Sequence, residues 1–186
     1  MSADHEHEHD APTRAPGTLE TVRAFVNTYD AETGADEIAV PRALAGWLEE
    51  AGLAQDFTPT AADVARAASL REALRALLFA NNGAELDPAA DAHLNAALAG
   101  SSLEVRFERG SAALVPRGGG LDAALARLGA IVREAMQAGD WARLKACPAD
   151  DCQWAFYDRS RNRSRTWCSM DVCGNRAKVR KFREGK

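Results

Sequence analysis

Apolar side chains recur at helical spacing along most of the chain as far as Gly139. Leu19, Val22, Phe25 or Val26, and Tyr29 share one face of a segment that runs from Thr18, a suitable N-cap, to about Asp30. Leu44, Trp47, Leu48 and Leu53 mark a short second helix that begins near Pro41 and closes near Gly52. Thr60 caps a longer helix in which Val64, Ala67, Leu70 or Arg71, Leu74, Leu77 and Leu78 keep the period until Asn82-Gly83. Asp87-Pro88 opens another that carries Leu94 and Leu98 to Gly100. The period then drops to two. Leu103, Val105 and Phe107 alternate with Glu104, Arg106 and Glu108, and Ala112 to Val115 follow a glycine-containing turn, which predicts one β-hairpin. Gly118-Gly119-Gly120 reads as a flexible joint; lacking GxxxxGK[ST] and a βαβ setting, it is no phosphate-binding loop. Leu121, Leu125, Leu128, Val132 and Ala135 complete the pattern as a long amphipathic helix.

Beyond Gly139 the pattern is shorter and more aromatic. Trp154, Phe156 and Trp167 suit two short strands with the loop from Asp158 to Arg165 between them. Ser169 can cap a final helix that places Val172, Val179 and Phe182 on its inner face. All four cysteines of the chain lie here, as Cys147-x4-Cys152-x15-Cys168-x4-Cys173. Two close pairs separated by a longer loop can wrap four thiolates tetrahedrally around one zinc ion. Disulfides are the competing reading. The first ten residues, however, have neither a basic nor an apolar region that would mark export, so the expectation is a cytoplasmic, reducing setting in which paired cysteines hold metal. No apolar run approaches the ~18 residues that span a bilayer. Knuckle, hairpin and helix around one structural Zn²⁺ make a treble-clef-like finger. The expected fold is therefore mainly α: a multihelical N-terminal domain with a β-hairpin insert, followed by a small C-terminal zinc finger.

Charge adds a second division. The chain carries a net −4, but residues 140–186 hold 12 Lys and Arg against 6 Asp and Glu, while residues 1–139 hold 11 against 21. A basic end on an acidic body points to a polyanion contact confined to the finger. Arg159, Arg161, Arg163 and Arg165 recur at every second position around Asn162, and Arg176, Arg180 and Arg183 form one helical stripe. Arginine grips phosphate and reads guanine, and asparagine can pair with adenine. The plain alternative is a solvated surface that partly pairs with the acidic domain. Asn175 and Arg176 have a further alternative role, bracing the zinc knuckle. Residues 1–16 read as a mobile acidic tail in which His5, His7 and His9 are simply solvated. Asn27 and Thr28 either meet a ligand or fix a helix junction, and the structural role is favoured. Four thiolate ligands close the coordination sphere, His93 is the one histidine in the folded part, and no GxSxG, HExxH or HxE signature occurs, so no catalysis is expected.

The stretch CPADDCQWAFYDRSRNRSRTWCSMDVCGNRAKVRKFRE closely resembles the CGNR zinc-finger family, named for the run that stands here as Cys173-Gly174-Asn175-Arg176. The Cys-Pro knuckle, the Phe-Tyr-Asp segment, the Ser-Arg-Asn turn and the Trp-Cys-Ser-Met approach carry the match. Upstream, Phe25-Val26-Asn27-Thr28 resembles the FVNT motif that opens the helical ABATE-type domain preceding this finger. The resemblance implies a bacterial transcription regulator, with an ABATE-type domain at 17–140 that senses or transmits a signal and a finger at 141–186 that contacts duplex DNA. A small-molecule or protein effector would then act at the helical domain. The alternatives are a zinc-stapled protein-interaction module and a small-molecule-binding helical domain.

Overall fold

The computed structural model describes residues 13–184, so the His5, His7 and His9 segment lies outside the described residues. The order of elements is α1 (Leu19–Val26), α2 (Pro41–Glu50), α3 (Ala61–Asn81), α4 (Ala90–Ala97), β1 (Leu103–Glu108), β2 (Ser111–Pro116), α5 (Gly120–Ala138), β3 (Leu144–Ala146), β4 (Ala155–Tyr157) and α6 (Asn175–Glu184). The fold is mainly α, with six α-helices and two antiparallel hairpins, β1–β2 and β3–β4, among the described residues. None of the described helices is long and apolar enough to cross a membrane.

Local chemistry sets the helix boundaries. Pro41 pre-sets the first turn of α2, and Thr60 and Asp63 close a reciprocal capping box at the start of α3. Gly139 ends α5 in the left-handed region at φ 79°, where a Cβ would be strained. The apolar stripes of α1, α2, α3 and α5 then meet in one core built on Val22, Phe25, Val26, Leu44, Leu70, Leu78, Leu125 and Leu128. Gly120, at the start of α5, has φ 64° and sits so close to the Phe57 ring that an added Cβ would come within 3.1 Å of it. The third glycine of the triplet is thus a packed helix start.

The core does not stop at α5. Leu144 and Ala146 of β3, with Ala155 and Tyr157 of β4, belong to the helical core, whereas Phe156 packs among the cysteines. Alternation along a strand sends neighbouring side chains to opposite sides, so the β3–β4 hairpin is a wall shared by two cores. Residues 13–16 extend this unit: Thr13 and Ala15 are buried, and the Tyr157 N–H donates to Thr13 O at 2.8 Å. The sequence reading placed them in a mobile tail, but the free edge of β4 offers them backbone partners.

Three expectations for the finger need correction. The strand that pairs with Phe156 is Leu144–Ala146, upstream of the first cysteine, and Trp167 is in no strand. Lys145 explains this, because its buried ammonium gathers the 158–165 loop and leaves no extended partner there. The final helix is preceded by a π-helical turn, Met170–Gly174, so Cys173 falls in that turn. Lastly, Val179 and Phe182 are 49% and 68% exposed, not inward-facing, because α6 meets mainly the turn before it.

Candidate metal centre

The first pair of cysteines is held by backbone geometry that begins at β3. Cys147 follows the strand directly, and its N–H donates to Trp154 O at 3.0 Å. The Cys152 N–H donates to Ala149 O at 3.0 Å, and Gln153 takes a positive φ of 55°, which turns the chain back into β4. The second pair comes from the opposite side. The Ser169 hydroxyl accepts from the Val172 N–H at 3.3 Å, and the turn it caps carries Cys173 inward. A Cβ at Gly174 would force the Met170 thioether to swing aside and would crowd the Trp167 ring at 3.3 Å.

All four sulfur atoms lie within 4.8 Å of one another, with Cys152–Cys168 at 3.4 Å and Cys168–Cys173 at 3.6 Å. A tetrahedral zinc site with Zn–S near 2.3 Å needs sulfurs about 3.8 Å apart, so the cluster has the right size. None of the cysteines is disulfide-bonded. Cys147, Cys168 and Cys173 are buried, and Cys152 is partly so. Contacts from Cys152 and Cys168 pull the Cys147 thiol far below its ordinary value, while contacts with Cys147 push Cys152 and Cys168 up. Burial pushes Cys173 up. The cluster stabilises one thiolate at the expense of its neighbours, and only a dication at its centre lets all four ionise together. One structural zinc per chain is held here, by Cys147, Cys152, Cys168 and Cys173. When bound it supplies folding free energy to a module with a small core, about 10–16 kcal/mol in finger peptides.

The basic residues around the cluster divide into two groups. Arg165, expected at a nucleic-acid contact, turns inward. Its Nε donates to Trp167 O at 2.9 Å, its terminal nitrogen donates to Cys168 O, and its guanidinium lies over the Phe156 ring at 5.3 Å. Two of its five N–H donors thus go to the approach to the second ligand pair. Arg159 is exposed but bonded to Arg14 O at 2.9 Å and stacked over Tyr157. Arg161, Asn162 and Arg163 are exposed at the tip of the loop, and Arg180 and Arg183 are exposed on α6. Arg176 lies 3.0 Å from Glu32 of the helical body and 3.4 Å from Asp151 of the first knuckle, and Asn175 donates to Asp171 O.

The loop owes its shape to a buried ion pair that sequence reasoning missed. Lys145 Nζ donates to Asp158 Oδ2 at 2.8 Å and to the carbonyls of Arg163 and Arg165 at 2.7 and 2.9 Å. Asp158 also accepts from the N–H groups of Ser160 and Arg165. Burial alone would push the Asp158 carboxyl up, but the bonds from Lys145 and Ser160 outweigh it and hold it at about 2. A chain wound around this pair has its carbonyls turned in and Arg161, Asn162 and Arg163 turned out. The alternation of arginines was visible in sequence; Lys145, isolated in an apolar strand, was the sign of an inward anchor.

A second missed set joins finger to body. Asn27 spends its whole amide on one residue, donating to Ala155 O at 3.0 Å and accepting from Ala155 N at 2.7 Å. Arg75, buried in α3, donates to Val26 O and to Gln153 O. Asn81 and Asn82 at the end of α3 bond the carbonyls of Trp141, Leu144, Ala146 and Thr166. In sequence these asparagines announce only the end of a helix.

Comparison with known families divides the chain at the same hairpin. The family model of the CGNR zinc finger matches residues 143–186. The ABATE family model, described as "Putative stress-induced transcription regulator", matches residues 19–145. No curated protein matches the chain.

Proposed function

The chain belongs to the ABATE family and ends in a CGNR zinc finger, and on that premise we propose that it is a non-catalytic, cytoplasmic transcription regulator whose finger binds duplex DNA. The observation that carries the reading is α6. It presents Arg176, Lys178, Arg180, Lys181 and Arg183 to solvent on a helix whose main contact is the turn before it. A helix of ~10–12 Å diameter fits the ~12 Å major groove of B-DNA. The 158–165 loop, wound on the Lys145–Asp158 pair, adds Arg161, Asn162 and Arg163 without needing to order on contact. The ion pair of Arg180 with Asp150 is 3.5 Å long and exposed, so exchanging it for a phosphate costs little. Zinc is structural in this reading: four thiolates leave no position for substrate. The helical body senses or transmits the signal, through a small-molecule or protein effector.

The pairing of Arg176 with Glu32 and Asp151 favours a second reading, an interaction module that docks on acidic protein. Binding of the zinc-loaded full chain to labelled duplex DNA at ~50 and ~200 mM salt separates the two. With about five phosphate contacts the affinity should fall about 500-fold over that interval, and chelation should abolish it. Salt-insensitive binding, or none with zinc in place, selects the interaction module.

A further inference from the structure

The β1–β2 hairpin stands apart from both cores. β2 lies toward α5, so β1 is the outer strand, and among the described residues nothing pairs with its other edge. Arg109 and Gly110 form the tight turn between the strands with φ 49° and 83°, the conformation of a two-residue type I′ hairpin. The register puts Leu103, Val105 and Phe107 opposite Pro116, Leu114 and Ala112, which makes one face of the ribbon wholly apolar. Val105 is 61% and Phe107 76% exposed. The other face carries Glu104, Arg106 and Glu108, so the edge is half apolar and half charged, and it has no lysine, proline or bulge to keep it from pairing.

We infer that the chain forms a two-fold symmetric dimer through the open edge of β1, joining two hairpins into one four-stranded antiparallel sheet. The inference is independent of the DNA reading and follows from the phase and register of this strand. The Arg117 N–H donates to Ser102 O at 2.9 Å. Hydrogen-bonding direction alternates along a strand, so Ser102, Glu104, Arg106 and Glu108 point their peptide groups toward β2. Leu103, Val105 and Phe107 therefore point theirs outward, ready to pair.

Only one symmetric register satisfies every pair. With the two-fold axis at Val105, that residue meets its own copy, and Leu103 lies opposite Phe107 of the partner subunit. Glu104 lies opposite Arg106 of the partner subunit, and Arg106 opposite the partner's Glu104. The outward peptide groups of Leu103, Val105 and Phe107 then make about six backbone bonds across the edge. Moving the axis to Arg106 opposes arginine with arginine and Glu104 with Glu108, which is unfavourable. Moving it to Phe107 runs the pairing into Arg109, whose positive φ is not extended. A strand that opposes its own unlike charges in the register with the axis at Val105, while its outward peptide groups pair, fits a second copy of the chain.

Sedimentation equilibrium of the full zinc-loaded chain tests this. The expected mass is twice 20.0 kDa, reached within a concentration range of ~1–100 μM. Arg106→Glu sets acid against acid twice and should weaken the dimer by about 10- to 100-fold. Glu104→Arg combined with Arg106→Glu should restore it, because the opposed charges are merely exchanged. Val105→Lys, at the axis, should dissociate it independently. Zinc content and circular dichroism of each variant show whether it is folded. A wild-type chain that stays monomeric at the highest concentration overturns the inference, including the case where the edge takes some other peptide. So does a dimer indifferent to Arg106→Glu, or a folded double variant that is still dissociated.

Discussion

Asn27 acts as a one-residue strand, and its side chain is the most exacting contact between body and finger. The Ala155 N–H and C=O that it covers lie on the edge of β4 away from β3, buried where water cannot replace the amide. Each orphaned buried group costs about 1–3 kcal/mol, so Asn27→Ala should lower the unfolding free energy by about 2–4 kcal/mol in urea titration. A loss under ~0.5 kcal/mol would mean that the amide is dispensable. The sequence showed a motif and favoured a helix-junction role; it could not show a partner 128 residues away. Arg71 is a parallel case, offered in sequence as one of two residues for the apolar face of α3. It is buried with its guanidinium on Asp36 at 2.8 and 2.9 Å and over the Tyr29 ring. Those bonds from Arg71 hold the Asp36 carboxyl below 3.8 despite its partial burial. A depressed carboxyl contributes stability that is complete above the unfolded pKa and is lost as pH falls through the folded one. The stability gap between the wild type and Asp36→Asn should therefore be constant near neutrality and close progressively below about pH 4. A gap that persists unchanged into acid would rule out the ion pair as its source.

At the scale of elements, helix periodicity transferred well to the structure and finger topology did not. Each stripe read from α1, α2, α3 and α5 found a common core, because a helix long enough to bury one face needs no knowledge of its partner. The finger strands have three residues each, too few for a period to register, and their pairing is set by the helical core they pack into and by Lys145. The apolar spacing on α6 was real, but sequence cannot tell an inner face from an exposed one. The shared hairpin also shapes what zinc removal should do. Leu144, Ala146, Ala155 and Tyr157 are fixed in the helical core, and Asn27, Arg75 and Asn82 hold the hairpin from the body side. Chelation should therefore release the ligand loops and α6 while β3 and β4 keep slow amide exchange. Hydrogen exchange with and without chelator measures this directly. Protection lost throughout α1–α5 as well would show that the zinc and the helical core unfold as one unit.

Across the whole molecule, the excess of basic residues in the last quarter was plain from composition, and the structure sorts those residues by what they are free to do. Arg165 is committed to the carbonyls of Trp167 and Cys168, whereas Arg180 and Arg183 stand on a projecting helix. The two classes should respond differently to neutralisation. If the finger binds DNA as proposed, Arg180→Ala or Arg183→Ala would remove a phosphate contact while leaving the fold intact, so each should weaken DNA binding on every sequence. Each should also reduce the slope of log affinity against log salt by about 0.9. Arg165→Ala removes the brace on the second ligand pair. It should raise the ease of zinc loss to a competing chelator and leave the slope of the zinc-saturated protein unchanged, because its guanidinium is turned to Trp167 O, Cys168 O and the Phe156 ring. Zinc competition and salt titration on the same three variants separate bracing from contact. If Arg165→Ala lowered the slope as much as Arg180→Ala while holding zinc normally, the inward contacts of Arg165 would have to open on DNA, and the interface would include the metal centre itself. If none of the three changed the slope, α6 would not be the surface that meets phosphate.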